Sequence, residues 1–109
     1  MGKINSRSKG ASGEREISNI LKEHGFETRR GQQFSGANGD ADVVGLEGIH
    51  IEVKRVEKLN IDNAMDQAVN DTGESQAKPT VFHRKNRKPW MVTMKLEDWI
   101  ELYKKWVRE

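Results

Sequence analysis

The sequence predicts an α/β fold: one domain with a small mixed central sheet flanked by helices, in the order α-β-β-β-α-β-β-α. Three observations predict it. Ile49, Ile51 and Val53 alternate with His50, Glu52 and Lys54, the two-residue period of a half-buried strand. Three further segments carry apolar residues at helical spacing. Glycine-bearing turns separate the periodic segments. At 109 residues the chain suits one hydrophobic core and no second domain.

Residues 1–12, rich in Gly, Ser and basic side chains, are expected to form a flexible basic tail, with the folded domain spanning 13–109. Ser12 is the expected N-cap of a helix over 13–24, with Ile17, Ile20 and Leu21 inward and Gly25 at its end. Residues 26–30 form a first strand, and 31–39, with three glycines, a loop. Residues 41–45 and 49–56 form two strands joined by Leu46-Glu47-Gly48, a three-residue hairpin with Gly48 left-handed. Asn60 or Asp62 caps a second helix with the stripe Ile61, Ala64, Met65, Ala68 and Val69, ending near Gly73. Residues 79–83 and 90–94 form a second hairpin with a basic tip. The last helix, 96–107, has Leu96, Trp99, Ile100, Tyr103, Trp106 and Val107 on one face. Core packing is expected for most of its aromatic residues, with a dimer face as the alternative.

Composition removes several function classes. The chain has no cysteine, which excludes disulfides, thiol catalysis and cysteine-based zinc sites. No apolar run reaches membrane-spanning length and no signal-peptide pattern is present, so a cytoplasmic protein without a membrane partner is expected. Residues 1–6 match a myristoylation pattern, which is short and has no other support. A third of the residues are charged, yet the net charge is only +2. The basic residues cluster: Arg29-Arg30, Lys54-Arg55, and the hairpin tip with Arg84, Lys85, Arg87 and Lys88. Separated basic patches suit a polyanion, although a solvated surface has the same composition.

The hairpin register carries the chemistry. With a three-residue loop Gly45 pairs with Ile49, so Val44 faces His50 and Asp42 faces Glu52. Directly opposed residues point to one side of a sheet, and Lys54, two residues on, shares it. Two facing carboxylates repel unless a cation lies between them. Oxygen ligands suit magnesium or manganese, and a nearby ammonium can assist a water and offset developing negative charge. That set fits phosphodiester hydrolysis. An isolated acid-x-Lys is more often a surface ion pair; the registered Asp42 and the glycine-rich loop before it raise the functional alternative.

Glu14 lies on the inward stripe of the first helix, three residues before Ile17. It is either a third acid reaching the site or a first-turn acid favoured by the helix dipole. Gln67 flanks the stripe of the second helix, where it either positions a water or phosphate or is an ordinary exposed glutamine. His24 and His50 have no zinc-site spacing. His83 reads as structural or phosphate-binding.

Glu14, Ser35-Gly36, Gly39-Asp40-Ala41-Asp42 and Glu52-Val53-Lys54, in that order, resemble the PD-(D/E)XK nuclease superfamily, and within it the archaeal-type Holliday junction resolvases and their small phage-encoded relatives. The resemblance spans about residues 13–94. It implies a restriction-endonuclease-like fold, a single nuclease domain over 13–109, and usually a homodimer. Asp42, Glu52 and the Val53 carbonyl would ligate Mg2+, with Mn2+ able to substitute. Glu14 would hold a second metal or its water shell, Lys54 would assist the attacking water, and Ser35 and Gln67 would complete the catalytic set. Ala41 stands where the family name has proline.

The expected partner is DNA, contacted at phosphates by Arg29, Arg30, Arg55, Arg84, Lys85, Arg87 and Lys88. No recognition helix or zinc finger is present, so shape readout is expected over base readout. For the hairpin tip, a solvated turn is the alternative. A four-way or other branched junction, matched by a symmetric dimer, is the leading substrate. The rivals are a less selective phage-type nuclease acting on flaps or duplex DNA, a noncatalytic DNA-binding protein of the same fold, and an assembly protein with a coincidental E-x-K. For a phage-encoded chain, the expected location is the host cytoplasm.

Overall fold

The structure, a computed structural model, describes residues 6–32 and 41–108. Among the described residues, eight elements follow in the expected order: α1 (Ser6–Glu23), β1 (Arg29–Arg30), β2 (Val43–Val44), β3 (Ile49–Arg55), α2 (Ile61–Thr72), β4 (Lys78–Arg84), β5 (Met91–Met94) and α3 (Leu96–Arg108). The strands form one sheet ordered β1-β2-β3-β4-β5. Among the described strands, only β3 and β4 are paired parallel. A parallel pair needs a crossover, which α2 supplies.

Strand alternation divides β3 between two layers. Ile51 and Val53 pack with Val43 of β2 and Ile17 of α1, joined at the rim by Leu21, Phe82 and Trp90. The opposite face meets α2, where Ala64 and Ala68 close on Val81 of β4, with Leu59, Ile61 and Met65 around them. Two alanines bring the α2 backbone close to the sheet. Gly13 does the same for α1: a Cβ there would lie 3.2 Å from Arg55 Cβ and 3.3 Å from Val53 Cγ1.

The ends of α2 follow from local chemistry. Asn60 is its N-cap, and its side chain accepts from the Asn63 N–H at 3.1 Å. Gly73 closes the helix at φ 59°, its N–H donating to Val69 O.

Four expectations need correction. The first helix begins at Ser6, not after Ser12, so residues 6–12 of the expected tail are helical. The first two strands are shorter than expected: the first is Arg29–Arg30, with Phe26 exposed, and the second is Val43–Val44. Val69 of the expected α2 stripe is exposed, and Thr72 is buried instead, its hydroxyl donating to Ala68 O at 2.6 Å. Finally, α3 does not join the core: none of its described residues is buried. Lys78 of β4 ties it down by pairing with Glu101 and, at 3.8 Å, with Asp98. No helix among the described residues is long and apolar enough to cross a membrane.

The β2–β3 turn contains two glycines with positive φ in different surroundings. Gly48, at φ 84°, faces open space, as the hairpin expectation requires. Gly45, at φ 122°, lies so close to β1's approach that a Cβ would meet Glu27 O at 2.3 Å. Gly45→Ala is therefore expected to lose more than about 2 kcal/mol of stability and Gly48→Ala only about 1 kcal/mol, read as unequal falls in the urea midpoint.

Candidate active site

The register is the one counted from the sequence: Val43 pairs with Ile51, which sets Asp42 opposite Glu52. At this point β2 and β3 part. The Asp42 N–H still donates to Ile51 O at 3.0 Å. The next β3 donor, the Val53 N–H, is taken by the Asp42 side chain, at 2.8 Å to Oδ2. A carboxylate thus replaces the departing backbone as β3's acceptor. On the other side, Gly31 N–H donates to Asp42 O at 2.9 Å, which fixes the Asp42 backbone as well.

Glu52 is 2% exposed. Its Oε1 lies 3.1 Å from His50 Nε2. Lys54 Nζ donates to Gln67 Oε1 of α2 at 2.9 Å. His50, Glu52 and Lys54 all point to the α2 side, as strand alternation requires. Asp71, four residues beyond Gln67 on α2, completes a set with His50 and Glu52 whose ligand atoms all lie within 4.8 Å of one another, close enough to share one metal ion.

Glu14 reaches the same region from α1. Its Oε1 accepts from Arg30 Nε at 3.0 Å. With the helix starting at Ser6, Glu14 lies more than two turns in, so the helix dipole does not account for it. Burial raises its pKa, and the Asp42 charge adds to the rise while Arg30 opposes it. Asp42 is shifted further, to about 6, by burial first and then by the Glu52 charge; the Val53 N–H and Lys54 oppose the shift. The site therefore holds more negative charge than its own cations neutralise.

Glu14, Asp42, Glu52, Lys54 and Gln67 are thus brought together, with Val53 supplying backbone. Ser35 lies outside the described residues. The tight ligand triple among the described residues is His50, Glu52 and Asp71; sequence reasoning set His50 aside for want of zinc-site spacing and passed over Asp71. Both had a signal: His50 shares Glu52's strand parity, and Asp71 shares Gln67's helix face.

The predicted DNA-contacting residues divide. Lys85, Arg87 and Lys88 are exposed at the β4–β5 turn, and Arg29 and Arg30 are exposed on β1. Arg55 and Arg84 turn instead toward Glu16 of α1, at 4.0 and 3.4 Å. Trp90 Nε1 donates to the same glutamate at 2.8 Å, and the Arg84 guanidinium lies over the Trp90 ring. These two arginines bind α1 to the sheet. His83 Nε2 lies 2.8 Å from Thr93 Oγ1, a structural contact between β4 and β5.

The profile of the phage PDDEXK endonucleases matches residues 5–109. The chain belongs to that family. Among solved structures it resembles Hjc, a Holliday junction resolvase from the archaeal hyperthermophile Archaeoglobus fulgidus, with a TM-score of 0.58 and 26% identity. That match covers 80% of this chain and 73% of Hjc. No curated protein matches the sequence. The family and the Hjc match bear out the PD-(D/E)XK resemblance and the restriction-endonuclease-like fold, and they make the chain a nuclease.

The Asp42 shift has a sign that can be checked. Between the ordinary aspartate value and about 6, folded Asp42 keeps a proton that the unfolded chain releases, so its contribution to stability falls as pH rises through that window. Asp42→Asn keeps an acceptor for Val53 and cannot ionise. Without divalent cation, this variant is expected to melt about 5 °C or more above the parent at pH 7, the gap closing near pH 4, as followed by circular dichroism.

Proposed function

We propose that this nuclease is a metal-dependent DNA endonuclease whose active site is built on Asp42, Glu52 and Lys54, with branched DNA, such as a four-way junction, as its substrate. The observation that carries the reading is the Asp42–Glu52 pair: the Asp42 carboxyl, opposite the buried Glu52, is pushed up to about 6 by its own burial and by the Glu52 charge. An all-oxygen donor set with excess negative charge fits a hard divalent cation, Mg2+ with Mn2+ able to substitute. Asp42, Glu52 and the Val53 carbonyl would hold it, with Glu14 on its outer side. When bound, such an ion supplies Lewis-acid activation of the phosphate and of a water.

The chain's own groups divide the remaining work. Lys54, oriented by Gln67 at 2.9 Å, would steer the attacking water and offset charge on the phosphate oxygens. Ser35 would approach the scissile phosphate. The Val53 N–H keeps Asp42 aimed and accounts for its second oxygen. Exposed Arg29, Lys85, Arg87 and Lys88, and Arg30 where Glu14 releases it, would contact backbone phosphates, a mode that gives affinity without sequence readout. Likeness to a Holliday junction resolvase supports the branched substrate. A symmetric homodimer would suit a junction's two-fold character.

Four-way junctions, flaps and linear duplex should be digested in parallel, with Mg2+, with Mn2+ and with chelator. Symmetric paired nicks at the junction, lost on chelation, are expected. Cutting of flaps or duplex at equal rates would replace the junction by a broader substrate. Asp42→Ala and Glu52→Ala should each slow cleavage at least about a thousandfold, and Lys54→Ala about a hundredfold, with junction binding retained. Full activity in either acid variant would overturn the assignment, and salt-sensitive binding without any cleavage would mark a noncatalytic DNA-binding protein.

A further inference from the structure

The basic turn between β4 and β5 forms one wall of a cavity. Val56 and Leu59, from the connection between β3 and α2, line one side; Pro89 and Met91 line the other, and Lys85 and Lys88 stand at the rim. The cavity encloses about 310 Å³. That is the small end of the ~300–1,000 Å³ range of ligand sites. Its two walls are fixed to each other. Asn86 N–H donates to Glu57 Oε2 at 2.7 Å, which ties the turn to the β3–α2 connection. Within the turn, Lys88 N–H donates to Lys85 O at 3.2 Å, and Arg84 Nη1 donates to Lys88 O at 3.4 Å. The cavity is therefore formed before any ligand arrives.

The chemistry of the lining identifies the occupant. The floor is apolar, and Met91, 55% exposed, offers a thioether suited to aromatic faces. His83 adds a flat ring, held in place by Thr93 Oγ1 at 2.8 Å. Among the described residues, the Lys85 and Lys88 ammonium groups have no ion-pair partner. A fitting occupant is flat and apolar in its body and anionic at its edge. An unstacked nucleobase with its backbone phosphate meets both conditions, whereas a base stacked inside a duplex cannot reach the floor. Position agrees with chemistry. His83 is the strand partner of Lys54, and Met91 is the partner of His83, so the cavity and Lys54 lie on one face of the sheet. Neighbouring strands are ~4.8 Å apart, and nucleotides of one strand follow every ~3.4 Å. A base in the cavity thus belongs to a nucleotide a few steps from a phosphate at Lys54. We propose that this cavity seats an unpaired nucleobase of the DNA, with Lys85 and Lys88 on its phosphates, and that branch points are selected because they supply such a base without the cost of unstacking a duplex. The inference rests on the DNA-substrate reading above and adds the feature of branched DNA that is recognised.

Binding in chelator, where nothing is cut, tests it. Two duplexes of equal length are compared by fluorescence anisotropy, one carrying a single unpaired 2-aminopurine and the other the same base paired. The bulged DNA should bind at least about fivefold tighter, with a change in 2-aminopurine emission that the paired DNA does not show. Met91→Ala with Pro89→Ala should erase both the preference and the emission change, leaving affinity for paired duplex within about twofold. If that double variant loses its circular dichroism spectrum, Met91→Gln alone carries the test. Lys85→Ala with Lys88→Ala should weaken binding to both DNAs and flatten the salt dependence. Equal affinity of the parent for the two DNAs overturns the inference, as does a preference that survives the cavity changes. Weakening by the lysine variant alone reduces the surface to a phosphate contact and also overturns it. A protein that keeps the preference but does not cut junctions with Mg2+ overturns the proposed substrate and not this site; junction cutting without the preference does the reverse.

Discussion

The site depends on one hydrogen bond between unlike partners, a strand N–H and a side-chain carboxylate. Where β2 leaves β3, Val53 would lose its acceptor, and Asp42 Oδ2 supplies it at 2.8 Å. Most backbone donors inside a sheet must be satisfied. This one is satisfied by the group that the site needs, so the strands can part without leaving an orphan donor on β3. The hydrogen bond holds Asp42 beside a second carboxylate despite their repulsion. Core packing behind β3, through Ile51, Val53 and Ile17, supplies the rigidity that keeps the pair together.

A cost accompanies that arrangement. Burial and the Glu52 charge together push the Asp42 carboxyl up to about 6, which is free energy stored against the folded state. Strain of this kind concentrates at functional sites, where the surrounding fold is stable enough to bear it. Glu14 is shifted in the same direction from the opposite layer, so both layers contribute to the excess negative charge.

Much of this was legible in the sequence, for a physical reason. Side-chain parity along a strand and the length of a glycine turn are local properties, and together they fixed the Val43–Ile51 register and the side on which Asp42, Glu52 and Lys54 lie. Gln67 and Glu14 could be placed because helical periodicity is also local. What depended on tertiary partners was not legible. Ser12 looks like a cap, yet the helix runs on through Gly10 to Ser6, and Gly13, just after Ser12, is held against Val53 and Arg55. The basic residues of β3 and β4 looked alike, but Arg55 and Arg84 face α1, where Glu16 waits for them. The apolar face of α3 was readable as a pattern, while its expected burial was not, because a pattern does not say which surface will cover it.

The contacts between α2 and β3 have a further consequence. Lys54 meets Gln67, and two residues back along the strand Glu52 shares its cluster with Asp71, four residues on along the helix. Two strand residues advance about 6.6 Å and four helix residues about 6 Å. The two repeats are nearly commensurate over this one interval, so α2 behaves like a ruler laid antiparallel to the strand. A single residue inserted between Gln67 and Asp71 would rotate one contact about 100° away from the other, at 3.6 residues per turn. The spacing of α2 is therefore as much a part of the site as the side chains it carries, and change in this helix is free by substitution on its outer face but not by length.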